Sequence, residues 1–178
     1  MRPLLSTFDT TISRSVQSLP DGLYGLMYTV SFIGQPIFTL VIILAVAIFS
    51  AALQQYRLLV AAFVAAATFG ANSVLKELFH RPRPDTEYAR GMILETYSFP
   101  SGHAASSVVV FGLLAYIAYH LLPQPFGSIV AGLLILLILL IGISRIYLGA
   151  HYPSDVLAGW LIGGIGLAII ILIVRPLA

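Results

Sequence analysis

Residues 98–122 read SFPSGH followed by AASSVVVFGLLAYIAYHLL, a polar hexapeptide that runs without a break into apolar sequence. The run from Ser101 or Gly102 to about Leu122 has the length of one bilayer crossing, about 20 residues. Pro100 suits a helix start, where its missing N–H would lack a partner in any case and its φ is already near helical. Gly102 lets another group approach the backbone closely. The unpaired N–H groups of a helix start, backed by the macrodipole, favour an anion. Ser101 and Gly102 therefore form a candidate anion cradle, with an acid–base histidine, His103, beside it. The same hexapeptide also fits a plain loop leading into a helix, and the rest of the chain has to decide between them.

Composition fixes the surroundings. The 178 residues are 59% hydrophobic and 9% charged, with a mean hydropathy of +0.98. A soluble domain carries about 25% charged residues, so this chain lacks the polar surface to cover itself in water and reads as an integral membrane protein. Its length suits one membrane domain over residues 1–178, with short or interfacial helices in 1–35 and a transmembrane core in 36–175. Cysteine is absent, which excludes a disulfide framework, a thiolate nucleophile and a cysteine metal site. The net charge of +2 includes no basic tail, so no nucleic-acid partner is expected. The first residues lack the charged segment and apolar core of a signal peptide, and none is expected.

Outward from residues 98–122, the other spans follow from length and punctuation. Pro36 opens a span over Ile37 to about Leu53, and a second covers Leu58 to about Phe79 after the polar turn Gln54–Arg57. Beyond the rigid turn Pro123–Pro125, a fourth runs from Gly127 to about Leu148 and a fifth from Ser154 to Val174. Near the N-terminus, Phe8, Ile12, Val16 and Leu19 recur at helical spacing and predict an amphipathic helix lying in the interface. Residues 22–34 are apolar but short, which predicts a buried or partly inserted helix. The fold class is all-α: a membrane helical bundle of five transmembrane spans, or six if residues 22–34 cross. Gly159, Gly163, Gly164 and Gly166 read as close helix packing, since small side chains let backbones approach within lipid.

Span alternation then gives a functional expectation. The end of the second span and the start of the third share one membrane side, as do the end of the fourth and the start of the fifth. The polar segment 80–103 and the break at 144–155 therefore face each other. Lys76, Arg81, Arg83, Arg90 and Arg145, five of the nine cations, converge there. Near span ends such cations can simply snorkel to the headgroups, but a cluster facing two helix starts fits an anionic ligand, and arginine suits bidentate phosphate recognition. His103 and His151 share that face, while His80 lies in the loop and His120 at the far end of the third span. Phosphate-ester cleavage can use one histidine as nucleophile and another as proton donor. Asp155, four residues after His151, can hold the imidazole tautomer or act as a helix N-terminal acid. Zinc catalysis usually wants three protein ligands, and fixed cations around these histidines oppose a divalent metal, so no metal and no cofactor is expected. Tyr88, Met92, Tyr97 and Phe99 read as interfacial anchors, with contact to a lipid headgroup or acyl chain as the alternative.

Three blocks together resemble the signature of the type 2 phosphatidic acid phosphatase and vanadium haloperoxidase superfamily: Lys76 with Arg83-Pro84, then Pro100-Ser101-Gly102-His103, then Ser144-Arg145 with His151 and Asp155. Order and spacing agree at every signature position over roughly residues 36–175. The resemblance implies that Lys76, Arg83 and Arg145 bind phosphoryl oxygens, with Ser101 and the Gly102 N–H completing the cradle. It implies that His151, oriented by Asp155, attacks phosphorus to give a phosphohistidine, that His103 protonates the leaving group, and that no metal takes part. A bacterial membrane enzyme that removes a terminal phosphate from a lipid is the implied activity. Undecaprenyl pyrophosphate is the favoured substrate, with phosphatidylglycerophosphate, phosphatidic acid or lipid A as alternatives and a non-catalytic lipid-phosphate transporter or binder as the different class. Membrane members of the family commonly have six spans, which leaves residues before 36 as the open point. The positive-inside rule would put the cation-rich face in the cytoplasm. Those cations have a ligand-binding role, however, and the resemblance implies a site facing the periplasm or cell exterior.

Overall fold

The computed structural model describes residues 2–92 and 96–174. The chain forms α1 (Arg2–Gln17), a short 3-10 turn (Asp21–Leu23), α2 (Tyr24–Ile33), α3 (Pro36–Ala52), α4 (Tyr56–Phe79), α5 (Glu87–Arg90), α6 (Gly102–Leu121), α7 (Phe126–Tyr147) and α8 (Pro153–Val174). Among the described residues, five helical segments are long and apolar enough to cross a membrane: Asp21–Ala52, Tyr56–Phe79, Gly102–Leu121, Phe126–Tyr147 and Pro153–Val174. Their boundaries follow local chemistry. Pro36 opens α3, Ser101 caps α6 with its hydroxyl accepting from the Ala104 N–H at 3.4 Å, and His80, at φ 46°, closes α4 in the left-handed region.

The bundle is small inside and large outside. Its buried positions are rich in alanine, such as Ala61, Ala65, Ala104 and Ala105, while Phe63 (73% exposed), Leu121 (77%) and Leu172 (70%) point outward. Lipid tails solvate large apolar side chains as well as a protein interior does, so close backbone approach decides helix association. Helix α6 sits centrally, packed on α7 and α8 and touching α3 and α4.

The short α2 does not cross. Before it, the Pro20 carbonyl accepts from Tyr147 Oη at 3.0 Å, at the C-terminal end of α7. After it, the Gly34 carbonyl accepts from Ser106 Oγ at 3.4 Å, and Pro36 lies beside Gly102 at the start of α6. Both ends of α2 thus lie where α6 begins and α7 ends, so the segment dips in against α7, burying Met27, Val30 and Ser31. Helix α1 rests on the same end of the bundle, touching α7 and α8. Its inward stripe differs from the apolar one expected: Asp9, Ile12, Ser13 and Val16 turn inward, while Phe8 and Leu19 are exposed. The rotation has a polar cause, the partners of Asp9.

Candidate active site

The C-terminus of α4, the loop 80–101, the N-terminus of α6 and the α7–α8 turn meet at one place, as span alternation predicts. A backbone hydrogen bond from the Ser101 N–H to the Asp155 carbonyl (2.9 Å) ties the starts of α6 and α8 together. The α7–α8 turn pivots on Gly149, at φ +69°, where a Cβ would come within 2.5 Å of Thr86 Cγ2. Thr86 in turn caps α5 and donates to the Gly149 carbonyl at 3.0 Å.

His151 is the buried centre, 2% exposed. Its Nε2 lies 3.2 Å from Arg83 Nη1. A guanidinium only donates, so Nε2 accepts and the ring proton belongs on Nδ1. That nitrogen faces Asp155 Oδ2 at 3.6 Å, an ion-pair separation rather than a hydrogen bond. Asp155 is held firmly: Oδ1 accepts from Arg81 Nη1 at 2.6 Å, and Oδ2 from the Ser98 hydroxyl and from the Tyr152 N–H at 2.9 Å. Burial drives the His151 pKa down to about 3 against the pull of Asp155, and Arg145 and Arg83 add to the fall. The imidazole is therefore neutral, with an unprotonated Nε2 whose electron pair accepts from Arg83.

Three cations gather at this end of the bundle, Arg83 and Arg145 acting on both His151 and Lys76. Lys76 Nζ donates to the Tyr97 carbonyl at 2.6 Å. Arg83 donates to the Thr96 carbonyl (2.8 Å), Thr96 Oγ1 (2.8 Å) and the Ala150 carbonyl (2.9 Å). Burial, and then the charge of Arg145, lower its pKa, yet arginine stays protonated at any physiological pH. Arg145, 1% exposed, bonds the Ser31 hydroxyl and Tyr88 Oη (3.2 Å) through Nη1, with Nη2 4.0 Å from Met92 Sδ. Its buried Nε has no hydrogen-bond partner among the described residues. An unpaired donor on a buried cation is costly, and a bound oxyanion would satisfy it. His103, at the second position of α6, lies within electrostatic reach of Arg145, His151, Arg83 and Lys76.

The remaining expected residues divide. Ser101 is fully buried and its hydroxyl is engaged as the α6 cap. A Cβ on Gly102 would meet only ordinary contacts, Asn72 Nδ2 and Pro36 Cγ at 3.6 Å, so protein packing does not demand glycine there. Arg90 leaves the cluster: it is 70% exposed and pairs with Asp85 at 3.3 Å. Arg81 turns away from the other cations to bond Asp155 and Asp9, both at 2.6 Å. Tyr88 and Met92, expected as interfacial anchors, instead reach Arg145. Sequence reasoning also missed Ser31, Ser98 and Asp9. Ser98 stood inside the quoted hexapeptide, whereas no spacing singled out Ser31 or Asp9. Among the described residues no group of three or more His, Cys, Asp or Glu is placed to hold a metal ion.

Helices of membrane-crossing length end on one buried cluster of histidines, cations and a carboxylate, the arrangement of a helical membrane protein with a charged interior centre. The PAP2 superfamily model matches residues 56–177, more than half of the chain, and the chain belongs to that superfamily. It is 39% identical over 97 residues to phosphatidylglycerophosphatase B of Bacillus subtilis (strain 168), covering 52% of this chain and 45% of that protein, so it spans about half of that relative. It is 31% identical over 168 residues to a provisionally named undecaprenyl-diphosphatase of Escherichia coli (strain K12), covering 92% of this chain and 81% of that protein. The crystal structure of a transmembrane PAP2-type phosphatidylglycerolphosphate phosphatase from Bacillus subtilis superposes with a TM-score of 0.80 at 26% identity, covering 99% of this chain and 90% of that one.

Proposed function

We propose that this protein is a metal-independent membrane lipid phosphatase that removes a terminal phosphate from a lipid phosphate or pyrophosphate, with undecaprenyl pyrophosphate as the preferred substrate. The observation that carries the reading is His151: a buried, neutral imidazole whose Nε2 faces Arg83, with Asp155 behind its Nδ1. In this reading Lys76, Arg83 and Arg145 take the phosphoryl oxygens, with the Gly102 N–H and the α6 dipole completing the cradle at the cap formed by Ser101. Fixed charges aimed at developing charge in a dehydrated site are the dominant catalytic resource. The His151 Nε2 lone pair forms the bond to phosphorus as the bond to the leaving oxygen breaks. His103 gives its proton to that oxygen, then takes one from the water that cleaves the phosphohistidine and frees phosphate.

The polyprenyl assignment draws on the Escherichia coli relative, and also on an undecaprenyl-diphosphatase of Sulfolobus acidocaldarius, 37% identical over 109 residues. The Bacillus subtilis relatives favour phosphatidylglycerophosphate as the second reading. Both lipids present phosphate at the membrane surface, and the site is read as facing the periplasm or cell exterior. The test is phosphate release by the purified chain in detergent from undecaprenyl pyrophosphate, phosphatidylglycerophosphate, phosphatidic acid and lipid A, with EDTA present throughout. Undecaprenyl pyrophosphate is expected to give the highest kcat/KM, and His151→Ala to lower release at least about a thousandfold. Release from none of the four lipids, or near-normal turnover by His151→Ala, overturns the reading.

A further inference from the structure

Asp9 lies outside the segment matched to the family, on α1, and its side chain is buried, 1% exposed. Its Oδ2 accepts from Arg81 Nη2 at 2.6 Å and from Ser154 Oγ at 2.8 Å, and its Oδ1 from the Ser154 N–H at 2.9 Å. The other edge of the same guanidinium donates to Asp155 Oδ1 at 2.6 Å and to Ser154 Oγ at 2.7 Å. The plane of Arg81 is fixed from below by Tyr152, whose ring centroid is 4.2 Å from Cζ. One guanidinium is thus shared between two buried carboxylates, and both belong to different ends of the chain.

The charge balance gives this sharing a meaning. Arg81 with Asp155 alone is a neutral pair, and a neutral pair does little to stabilise the positive charge that develops on the His151 ring when Nε2 bonds to phosphorus. With Asp9 on its second edge, the group Asp9–Arg81–Asp155 carries a net −1, and Asp155 faces His151 as the anionic end of that group. The same bonds fix the Asp155 carboxylate in position, since Arg81 cannot swing toward the phosphate-binding cations without abandoning Asp9. We propose that Asp9 is a positioning residue for the reaction, through which α1 sets the orientation and the net charge of the carboxylate behind His151. The proposal rests on the phosphatase reading above.

The test uses the full chain in detergent on the lipid phosphate it hydrolyses best. Asp9→Asn keeps the size of the side chain and removes the charge. It is expected to lower kcat about tenfold, equivalent to roughly 1.4 kcal/mol, with KM within about twofold because Asp9 bonds Arg81 and Ser154 rather than Lys76, Arg83 or Arg145. Asp9→Glu restores the charge and should recover part of the loss. Combining Asp9→Asn with Arg81→Met should cost no more than Arg81→Met alone, because the amide oxygen still accepts from the Ser154 N–H while the lost charge acts through Arg81, whereas independent structural damage would multiply. That double variant leaves no unpaired buried charge from the Asp9–Arg81 pair, so it serves if Asp9→Asn alone does not fold. An unchanged kcat for Asp9→Asn overturns the proposal, as does a double variant more than about threefold below Arg81→Met. Absence of release by the unaltered chain would instead defeat the phosphatase reading.

Discussion

At the residue scale, the burial that keeps His151 neutral also makes it a liability in acid. Its native pKa of about 3 lies well below the unfolded value of about 6.5. Between those values the unfolded chain binds a proton that the native site refuses, so stability is fully present above about pH 6.5 and is lost as pH falls toward 3, by up to about 1.4 kcal/mol per pH unit. The thermal unfolding midpoint in detergent is therefore expected to drop between pH 7 and pH 4.5, and to drop less for His151→Gln. An equal drop in both proteins would mean that His151 is not held neutral by the fold. The signature residues were legible because their chemistry demands particular side chains at fixed spacing, as with His151 and Asp155. Their supports were not. Ser98 and Tyr152 reach Asp155 through a hydroxyl and a backbone N–H, groups that leave no pattern in a sequence. Arg81 was visible as a cation, but nothing in its spacing revealed that it faces carboxylates rather than phosphate.

At the element scale, the separation of α6 from α8 decides whether His103 and Asp155 can serve one site. A Cβ at Gly159 would fall 2.5 Å from the Ser101 carbonyl oxygen and 2.9 Å from Ala104 Cβ, and one at Gly163 2.5 Å from the Ala105 carbonyl oxygen. The shortest of these contacts at each glycine is with a backbone carbonyl, and the Ser101 backbone is itself tied to Asp155, so neither helix can give locally. A Cβ at Gly164, on the same helix, would meet nothing within 4 Å among the described residues. Gly159→Ala is expected to destabilise the protein by about 1–3 kcal/mol through overpacking and to depress phosphate release with it. Gly164→Ala should be neutral or stabilising by up to about 1 kcal/mol, since alanine is the better helix former. Unfolding midpoints of the two variants check this, and equal effects would refute the packing account. The sequence signalled close packing for all these glycines together. It could not tell them apart, because helix rotation about its own axis is set by partners far away in the chain.

At the scale of the whole molecule, the boundaries of α3, α4, α6, α7 and α8 were legible to within a residue or two, because hydrophobic length and proline punctuation answer to the bilayer rather than to tertiary detail. The disposition of residues 1–35 was less so. Hydropathy sees an amphipathic helix and a short apolar run, whereas buried polar partners decide where they go: Asp9 on Ser154 and Arg81, and Ser31 on Arg145. That placement carries a topological consequence. With α2 returning to the end from which it started, Ser18 lies on the same membrane side as Asp85 in the site loop, and the α3–α4 turn at Gln55 lies on the other. The chain has no cysteine, so single-cysteine variants report position without background. Ser18 and Gln55 are exposed, and the Asp85 side chain is 86% exposed. In intact cells an impermeant thiol reagent is expected to label Ser18→Cys and Asp85→Cys, and to label Gln55→Cys only after permeabilisation. Were residues 22–34 a sixth crossing, Ser18→Cys would label with Gln55→Cys instead. Labelling of Gln55→Cys alone in intact cells would keep the five-span arrangement but turn the site toward the cytoplasm, so the three variants separate fold from sidedness.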